Sequence, residues 1–600
     1  MSPNPPIAPE PVSRLRLLRF AILTLMGLLA LRLFWLQAIE YWRHAESSRR
    51  TTLRAQPVDP PRGTLYDRNG VVLVDTEPAF TVTLTPVDFD TRQIPGLARL
   101  LGVPDSLLWA RYRQARAYSL YRPSRLLRDL DARQFARLQE NLYRFPGIDL
   151  QVETRRRYPA GVRGAHVFGY VREISAGELA RRRPVYQMGD LIGHTGLERF
   201  YEAELRGQRG QHLVLVNALG QAIGPYREGG EDVPPQSGFD LELGLDANLQ
   251  ALAESLMTGR QGAVVAIDPQ NGEILALVSS PDFDPKALTG VVDPSLWRDL
   301  NTDPARPLFN RAIQAEQPPG STFKPFMALL ALQEGIITPQ TTVRCGGGFY
   351  FGRFFRCYGG AHGPVNAQRA VQVSCNTFFY WLMTRLNLQR WHWYGRQFGF
   401  GRPTGIDLPG ERGGVLPDSA YFNRLYGPGR WTMGYLISLG IGQGNLTVTP
   451  LQMAAYCAAL ANGGWYYTPH VVRRMRNPQT GQERLWREAP RRIPIDSTYI
   501  ALIREGMRLA VEAGTGRAAR VPGIAVAGKT GTAQNPHGRD HAWFIGFAPF
   551  EKPRIAVAVL VENAGFGGVH AAPIARALFE RYLRTRSVRP QTVSRPLSLR

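Results

Sequence analysis

Lysine is nearly missing from this 600-residue chain: four lysines stand among 72 basic residues, and arginine supplies the rest. Arginine stays protonated and cannot act as a base, so a retained lysine can mark a place where a removable proton is needed. Lys286 and Lys552 lie in no motif, whereas Lys324 and Lys529 do. Cysteine is scarce too, at four residues, which is too few for a disulfide scaffold. A chain this long therefore needs hydrophobic cores, divided over two or more domains. No zinc-finger spacing, aromatic-rich RNA-binding consensus or basic zipper region accompanies the net charge of +23. Those absences exclude nucleic acid as the favoured partner and leave an anionic membrane surface or polymer. Neither a Gly-x-Ser-x-Gly elbow nor His-Glu-x-x-His occurs, so Ser-His-Asp esterase and zinc-protease chemistry lack their signals.

A second long apolar run is also lacking. The one present extends from Leu17 to Leu36, with Arg14, Arg16 and Arg19 at its near end and Arg32 beside Trp35 at its far end. Twenty helical residues rise about 30 Å, enough to cross a bilayer core. The flanking arginines place residues 1–16 in the cytoplasm and export the remainder to the periplasm of a bacterial inner membrane. No small-x-small cleavage site follows the run, which favours a retained anchor at 17–36 over a cleaved signal peptide.

Beyond the anchor, Asp67-Arg68-Asn69-Gly70 joins Thr64–Tyr66 to Val71–Val74 as a β-hairpin. Residues 99–145 read as helical, with Leu and Ala interleaved by Arg. The linker-like segment Gly229–Pro235 sets a boundary, giving one domain over 37–235 and another over 236–585. In the second, Gly262–Asp268 and Glu273–Ser279 form a hairpin, Ala542–Ala548 and Arg554–Val561 are strands, and Ala572 to Arg584 is a helix. This order predicts an α+β domain in which an antiparallel sheet packs against helices. Residues 586–600 are rich in Arg, Ser and Pro and are expected to be disordered.

The chemical signal begins at Pro318-Pro319-Gly320-Ser321-Thr322-Phe323-Lys324, ahead of an apolar helical run that Gly335 ends. Positions i and i+3 share a helix face, so the Lys324 amine can lie beside the Ser321 hydroxyl. Serine needs such a base, and burial at a helix N-terminus favours the neutral amine. Alone, Ser-x-x-Lys reads better as a capped helix with an exposed lysine. It is followed, however, by Ser374-Cys375-Asn376 and by Lys529-Thr530-Gly531-Thr532. Ser-x-x-Lys, Ser-x-Asn and Lys-Thr-Gly in that order are the signature of the penicillin-recognising serine enzymes. Ser374 and Asn376 offer a proton relay and an amide contact. Lys529, Thr530 and Thr532 offer charge and hydrogen bonds to a peptide, and Gly531 lets a substrate strand come close.

The stretches RPLFNRAIQAEQPPGSTFKPF, SCNTFFY, GIGQGNLTVTPLQMA and AGKTGTAQ resemble the class B penicillin-binding proteins, and within them the branch serving rod-shape elongation. PRGTLYDRNG and GHTGLERFYEAELRG resemble that family's non-catalytic pedestal. The resemblance implies an elongated pedestal of β and α elements over 37–235 and a transpeptidase domain with a five-stranded antiparallel sheet. It implies that Ser321 attacks between the terminal D-alanines of a stem peptide, with Lys324 as base and Ser374 returning the proton. Backbone N–H groups of Ser321 and Thr532 would hold the oxyanion, and no cofactor is required for acyl transfer. β-Lactams would acylate the same serine. The expected partners are peptidoglycan stem peptides and, in the membrane, the elongation glycosyltransferase and other rod-shape proteins. A D,D-carboxypeptidase, a β-lactamase and a non-catalytic scaffold that activates a polymerase are the competing functions.

Cys345, Cys357, His362 and Cys375 cluster around the second motif, and Gly-rich links would let this loop wrap an ion. Three thiolates and an imidazole fit a structural tetrahedral zinc site. A Cys345–Cys357 disulfide and unrelated buried thiols fit as well.

Overall fold

The computed structural model describes residues 11–35, 37, 53–121, 123–159, 161–182, 185–187, 189–216, 222–289, 292–486 and 488–584. The expected C-terminal tail, 586–600, and residues 1–10 of the expected cytoplasmic tail lie outside the described residues.

Helix α1, Pro11–Phe34, is the one helix among the described residues long and apolar enough to cross a membrane. Its stretch Leu15–Phe34 is exposed all round, as a helix solvated by lipid must be.

Two larger sheets build most of the next region, beside a two-stranded pairing of Val171–Glu173 with Leu191–Gly193. Strand β1, Leu53–Val58, belongs to a sheet completed further along the chain. Strands β2, Leu65–Tyr66, and β3, Val72–Leu84, pair antiparallel across the expected turn. Helix α2, Asp105–Tyr118, follows, then β4, Ser124–Leu130, and β5, Ile148–Arg157, which both pair with β3. Strand β6, Gly210–Val216, joins β1 and also pairs with β7, Ala222–Pro225. The helical reading of 99–145 fails at β4, which interrupts it between α2 and the helix Ala132–Asn141. Leu126, Leu127 and Leu130 are buried against the β3 side, so pairing with β3 overrides a local pattern that fits either state.

A buried charge network closes this region. Arg62, in the proline-rich turn, bonds to the carboxylates of Glu198 and Glu202, and Arg156 of β5 donates to Glu198 at 2.6 Å. Glu198 has no exposed surface, so the two guanidiniums are what make its charge tolerable.

Strand β8, Asp240–Leu243, runs parallel to β2 and antiparallel to Val472–Arg476. The pedestal sheet thus continues into the second half of the chain. Buried Asp407 bolts the same junction, accepting from Tyr201 Oη at 2.9 Å and from the Val471 and Val472 amides at 2.6 and 2.9 Å.

The second half centres on five antiparallel strands: β9, Gly262–Ile267; β10, Ile274–Ser280; β11, Ala527–Ala533; β12, His541–Ala548; and β13, Ile555–Val561. Their order is β10-β9-β13-β12-β11, which leaves β11 at an edge. Alternate residues face two cores, as a period of two requires. Val265, Ile545 and Leu560 face the large core that holds helices α3, Lys324–Gln333, α4, Asn376–Met383, and α5, Pro450–Ala461. Val264, Phe544 and Val559 face the core closed by helix α6, Ala572–Arg584. This is the expected α+β sandwich, and Cys457 lies buried in α5 as core.

Candidate active site

Residues Gly320–Phe323 form a tight 3-10 turn that leads directly into α3, so Ser321 projects from the mouth of a helix. Gly320 has φ +55° and donates its amide to Gly442 O at 2.8 Å. A Cβ at Gly320 would lie 2.8 Å from Thr532 O, and a Cβ at Gly531 would lie 2.8 Å from Pro319 O. Both glycines are therefore needed for the serine turn to pack backbone to backbone against edge strand β11. The close approach at Gly531 is made by this turn, where the sequence pointed to a substrate strand.

Lys324 has no exposed surface. Its amine donates to Ser374 O at 2.7 Å, Asn376 Oδ1 at 2.6 Å and Ser374 Oγ at 3.2 Å. Lys529, equally buried, reaches Ser374 Oγ from the β11 side at 2.9 Å and Thr530 O at 3.1 Å. One hydroxyl is thus held between two amines that lie more than two hundred residues apart in sequence. Burial pushes the Lys324 ammonium down to about 7, opposed by the charge of the Cys357 and Cys375 sulfurs. Burial, and then the neighbouring Lys324 charge, push Lys529 well below the usual lysine range. Two buried cations around one hydroxyl repel, so the arrangement favours a neutral amine.

Lys324 makes no hydrogen bond to Ser321 among the described residues: the amine's hydrogen bonds all go to the 374–376 segment. Ser321 is half-buried, and its hydroxyl makes no hydrogen bond among the described residues. Apo sites often hold such pairs more loosely than the reacting complex does. Ser374 has φ +58°, a left-handed conformation that costs a serine about 1–3 kcal/mol. Its carbonyl and hydroxyl are both held by lysine amines, which fixes that strained backbone.

The residues expected to meet a substrate lie around the same site. Thr530 Oγ1 bonds to Thr515 Oγ1 at 2.8 Å, and Gln443 Nε2 approaches Thr532 O at 3.5 Å. Asn376 opens α4 and donates its side-chain amide to Arg356 O at 3.3 Å. Sequence reasoning missed roles for Gly442, Gln443 and Thr515. The glycine-rich run around Gly442 was visible, but nothing local tied it to Ser321. His541 and Trp543 lie in β12, beside the Lys529 strand.

All four cysteines are free, which removes the Cys345–Cys357 disulfide. The ligand atoms of Cys345, Cys357, His362 and Cys375 lie within 4.8 Å of one another. His362 Nδ1 is 3.6 Å from Cys345 Sγ and 3.4 Å from Cys357 Sγ, and Cys357 Sγ is 3.9 Å from Cys375 Sγ. Bonds of about 2.0–2.3 Å to a tetrahedral ion imply ligand separations of roughly 3.5–3.8 Å, close to these three, with the whole set within 4.8 Å. The cluster adjoins the 374–376 segment, because the Asn376 backbone amide donates to Cys357 Sγ at 3.2 Å.

Residues 262–580 match the penicillin binding protein transpeptidase domain, and residues 57–243 match the penicillin-binding protein dimerisation domain. The chain is 36% identical over 595 residues to the peptidoglycan D,D-transpeptidase MrdA of Acinetobacter baumannii, spanning 94% of this chain and 86% of that one. It is 34% identical over 582 residues to MrdA of Escherichia coli, spanning 91% and 90%. Among solved structures, Helicobacter pylori PBP2 in complex with MreC superposes with a TM-score of 0.78 at 29% identity, covering 88% of this chain and 99% of that one. Pseudomonas aeruginosa PBP2 in complex with WCK 5153 superposes with a TM-score of 0.67 at 30% identity, covering 91% and 100%.

Proposed function

The chain belongs to the class B penicillin-binding proteins of the PBP2 type and is a peptidoglycan D,D-transpeptidase, and from that premise we propose that Ser321 is its nucleophile. The reading is carried by Ser374 Oγ, which accepts from the amines of both Lys324 and Lys529 beside the Ser321 turn.

The Ser321 hydroxyl attacks the carbonyl between two terminal D-alanines while its proton passes to the Lys324 amine. Ser374 relays that proton to the departing D-alanine nitrogen, and an ester joins Ser321 to the shortened stem peptide. The amine of a second stem peptide then attacks the ester, forming the cross-link and releasing the serine. The oxyanion is held by the Ser321 and Thr532 backbone amides, the kind of preorganised donor pair that is usually a major term in acyl transfer. The donor peptide lies along the free edge of β11, where Lys529 and Thr530 meet its carboxylate and Asn376 meets its amide. A β-lactam follows the first half of this path and remains on Ser321. The relatives carry transpeptidase names, which leaves the hydrolase and scaffold alternatives without a supporting observation.

Cys345, Cys357, His362 and Cys375 hold a structural zinc ion in this reading, supported by the donor set and its spacing. The ion would brace the loop that contacts Asn376, and acyl transfer does not run through it. The division into pedestal, 37–235, and transpeptidase domain, 236–585, rests on the linker composition of 229–235. Residues 17–36 anchor the chain in the inner membrane, with residues 1–16 in the cytoplasm and both domains in the periplasm, on the strength of the arginines preceding the apolar helix. Rod-shape proteins, including a glycan polymerase, are the natural membrane partners, given that the Helicobacter relative was solved with MreC.

The test is cross-linking of stem-peptide substrates by the full-length protein, read as cross-linked product and free D-alanine. Wild type should give both, and Ser321→Ala neither. D-alanine release without cross-linking, with water as acceptor, would establish the hydrolase reading instead.

A further inference from the structure

Thr515 belongs to none of the three motifs, yet its hydroxyl meets that of Thr530 with 2.8 Å between the oxygens. The helix Ser497–Ala513 delivers it there. That helix packs closely on the helix Ala367–Gln372, which leads into Ser374: a Cβ at Gly506 would lie 3.0 Å from Gln368 O, and one at Gly514 2.4 Å from Gln372 O. The amides of Gly514 and Gly516 both donate to Ala510 O, at 3.1 and 2.9 Å, which ends the helix and fixes the backbone on either side of Thr515. The segment after β13 closes in as well, since a Cβ at Gly568 would lie 3.0 Å from Thr515 O and 3.8 Å from Thr530 Cγ2. Thr515 is thus braced by the element that leads to Ser374 and set against the strand that carries Lys529.

Thr530 is 8% exposed, and the Lys529 amine donates to its carbonyl at 3.1 Å. A hydroxyl carries one hydrogen and two lone pairs, and the hydrogen turns to suit its partners. In this structure Thr530 donates to Thr515. The Thr515 hydroxyl has no other partner among the described residues, so the pair is free to reverse its direction.

We propose that Thr515 is a positioning residue for the substrate carboxylate, acting through Thr530. When a carboxylate arrives, Thr515 donates to Thr530 Oγ1, and Thr530 turns its own hydrogen onto the anion. A chain of two hydroxyls ending on a charge polarises along its length, which strengthens the last bond. The inference rests on the reading of Thr530 as a carboxylate contact. A pair of hydroxyls that only holds the fold together would be indifferent to the charge of the ligand.

The probes are benzylpenicillin and its methyl ester, which differ in the carboxylate alone. Acylation rates of the full-length protein with each are followed by mass spectrometry and compared as a ratio, so that any unfolded fraction cancels. Thr515→Val removes the hydroxyl and keeps the shape, and should lower the ratio of acid to ester about five- to tenfold, the effect of losing one hydrogen bond. Thr515→Ser should restore the wild-type ratio, and adding Thr515→Val to Thr530→Val should lower the ratio no further. An unchanged ratio in Thr515→Val beside a lowered one in Thr530→Val overturns this inference alone. Additive losses in the double variant, or no recovery in Thr515→Ser, overturn it too. An unchanged ratio in Thr530→Val removes the carboxylate reading of Thr530 itself, and this inference with it.

Discussion

Replacing Lys324 with arginine keeps the positive charge and removes the ability to give up a proton. The Lys324 amine is fully buried and bonds to a carbonyl, an amide oxygen and a hydroxyl, with no carboxylate among these partners. Burial lowers its pKa to about 7. At neutral pH such an amine is roughly half uncharged, whereas an ordinary lysine is uncharged in only about one molecule in three thousand. The burial therefore supplies about a thousandfold more base, and Lys324→Arg should slow acylation by at least that factor. The sign of the pH dependence follows. Acylation needs the neutral amine, so its rate should fall about tenfold per unit below pH ~7 and level off above it. Fluorescent-penicillin acylation rates between about pH 5 and pH 9 measure this, with circular dichroism confirming that the variant is folded. A flat profile across that range, or a Lys324→Arg protein retaining more than about a tenth of the rate, would refute the assignment of the base.

Other perturbations have expected outcomes of their own. Glu198→Ala leaves Arg156 as an uncompensated buried cation and Arg62 with Glu202 alone, and should destabilise the pedestal by about 3–5 kcal/mol, read from the urea midpoint. An unchanged midpoint would show that the network contributes nothing. Gly531→Ala puts a methyl group 2.8 Å from Pro319 O and 2.9 Å from Thr322 Cγ2, and should slow penicillin acylation more than it lowers global stability. Stability falling as far as the rate would contradict that. Protein purified without chelators should contain close to one zinc per chain, and Cys357→Ser should lose the metal and slow acylation through Asn376. Metal-free wild type with normal stability would exclude the zinc site.

Much of the candidate site's geometry was legible because its motifs are local and its residues are scarce. Lys324 and Lys529 stood out against an arginine background, and both amines meet at Ser374. The hairpin β9–β10, the strands β12 and β13 and helix α6 were readable from period and turn residues, since each is fixed by its own few residues. What escaped depends on partners far along the chain. Strand β4 exists because β3 offers it an edge, and β8 because Leu65–Tyr66 and Val472–Arg476 flank it. The left-handed backbone of Ser374 and the contact of Gly320 with Gly442 arise only once distant segments converge. Helix-face spacing alone does not decide which acceptor the Lys324 amine takes: its hydrogen bonds go to the distant 374–376 segment.

Peptide mapping of the penicillin adduct by mass spectrometry bears most directly on the identity of the nucleophile. A single acyl group should be found on the peptide containing Ser321, and Ser321→Ala should carry none while still folding. An adduct on Ser374 or any other residue of the wild type would contradict the mechanism at its root.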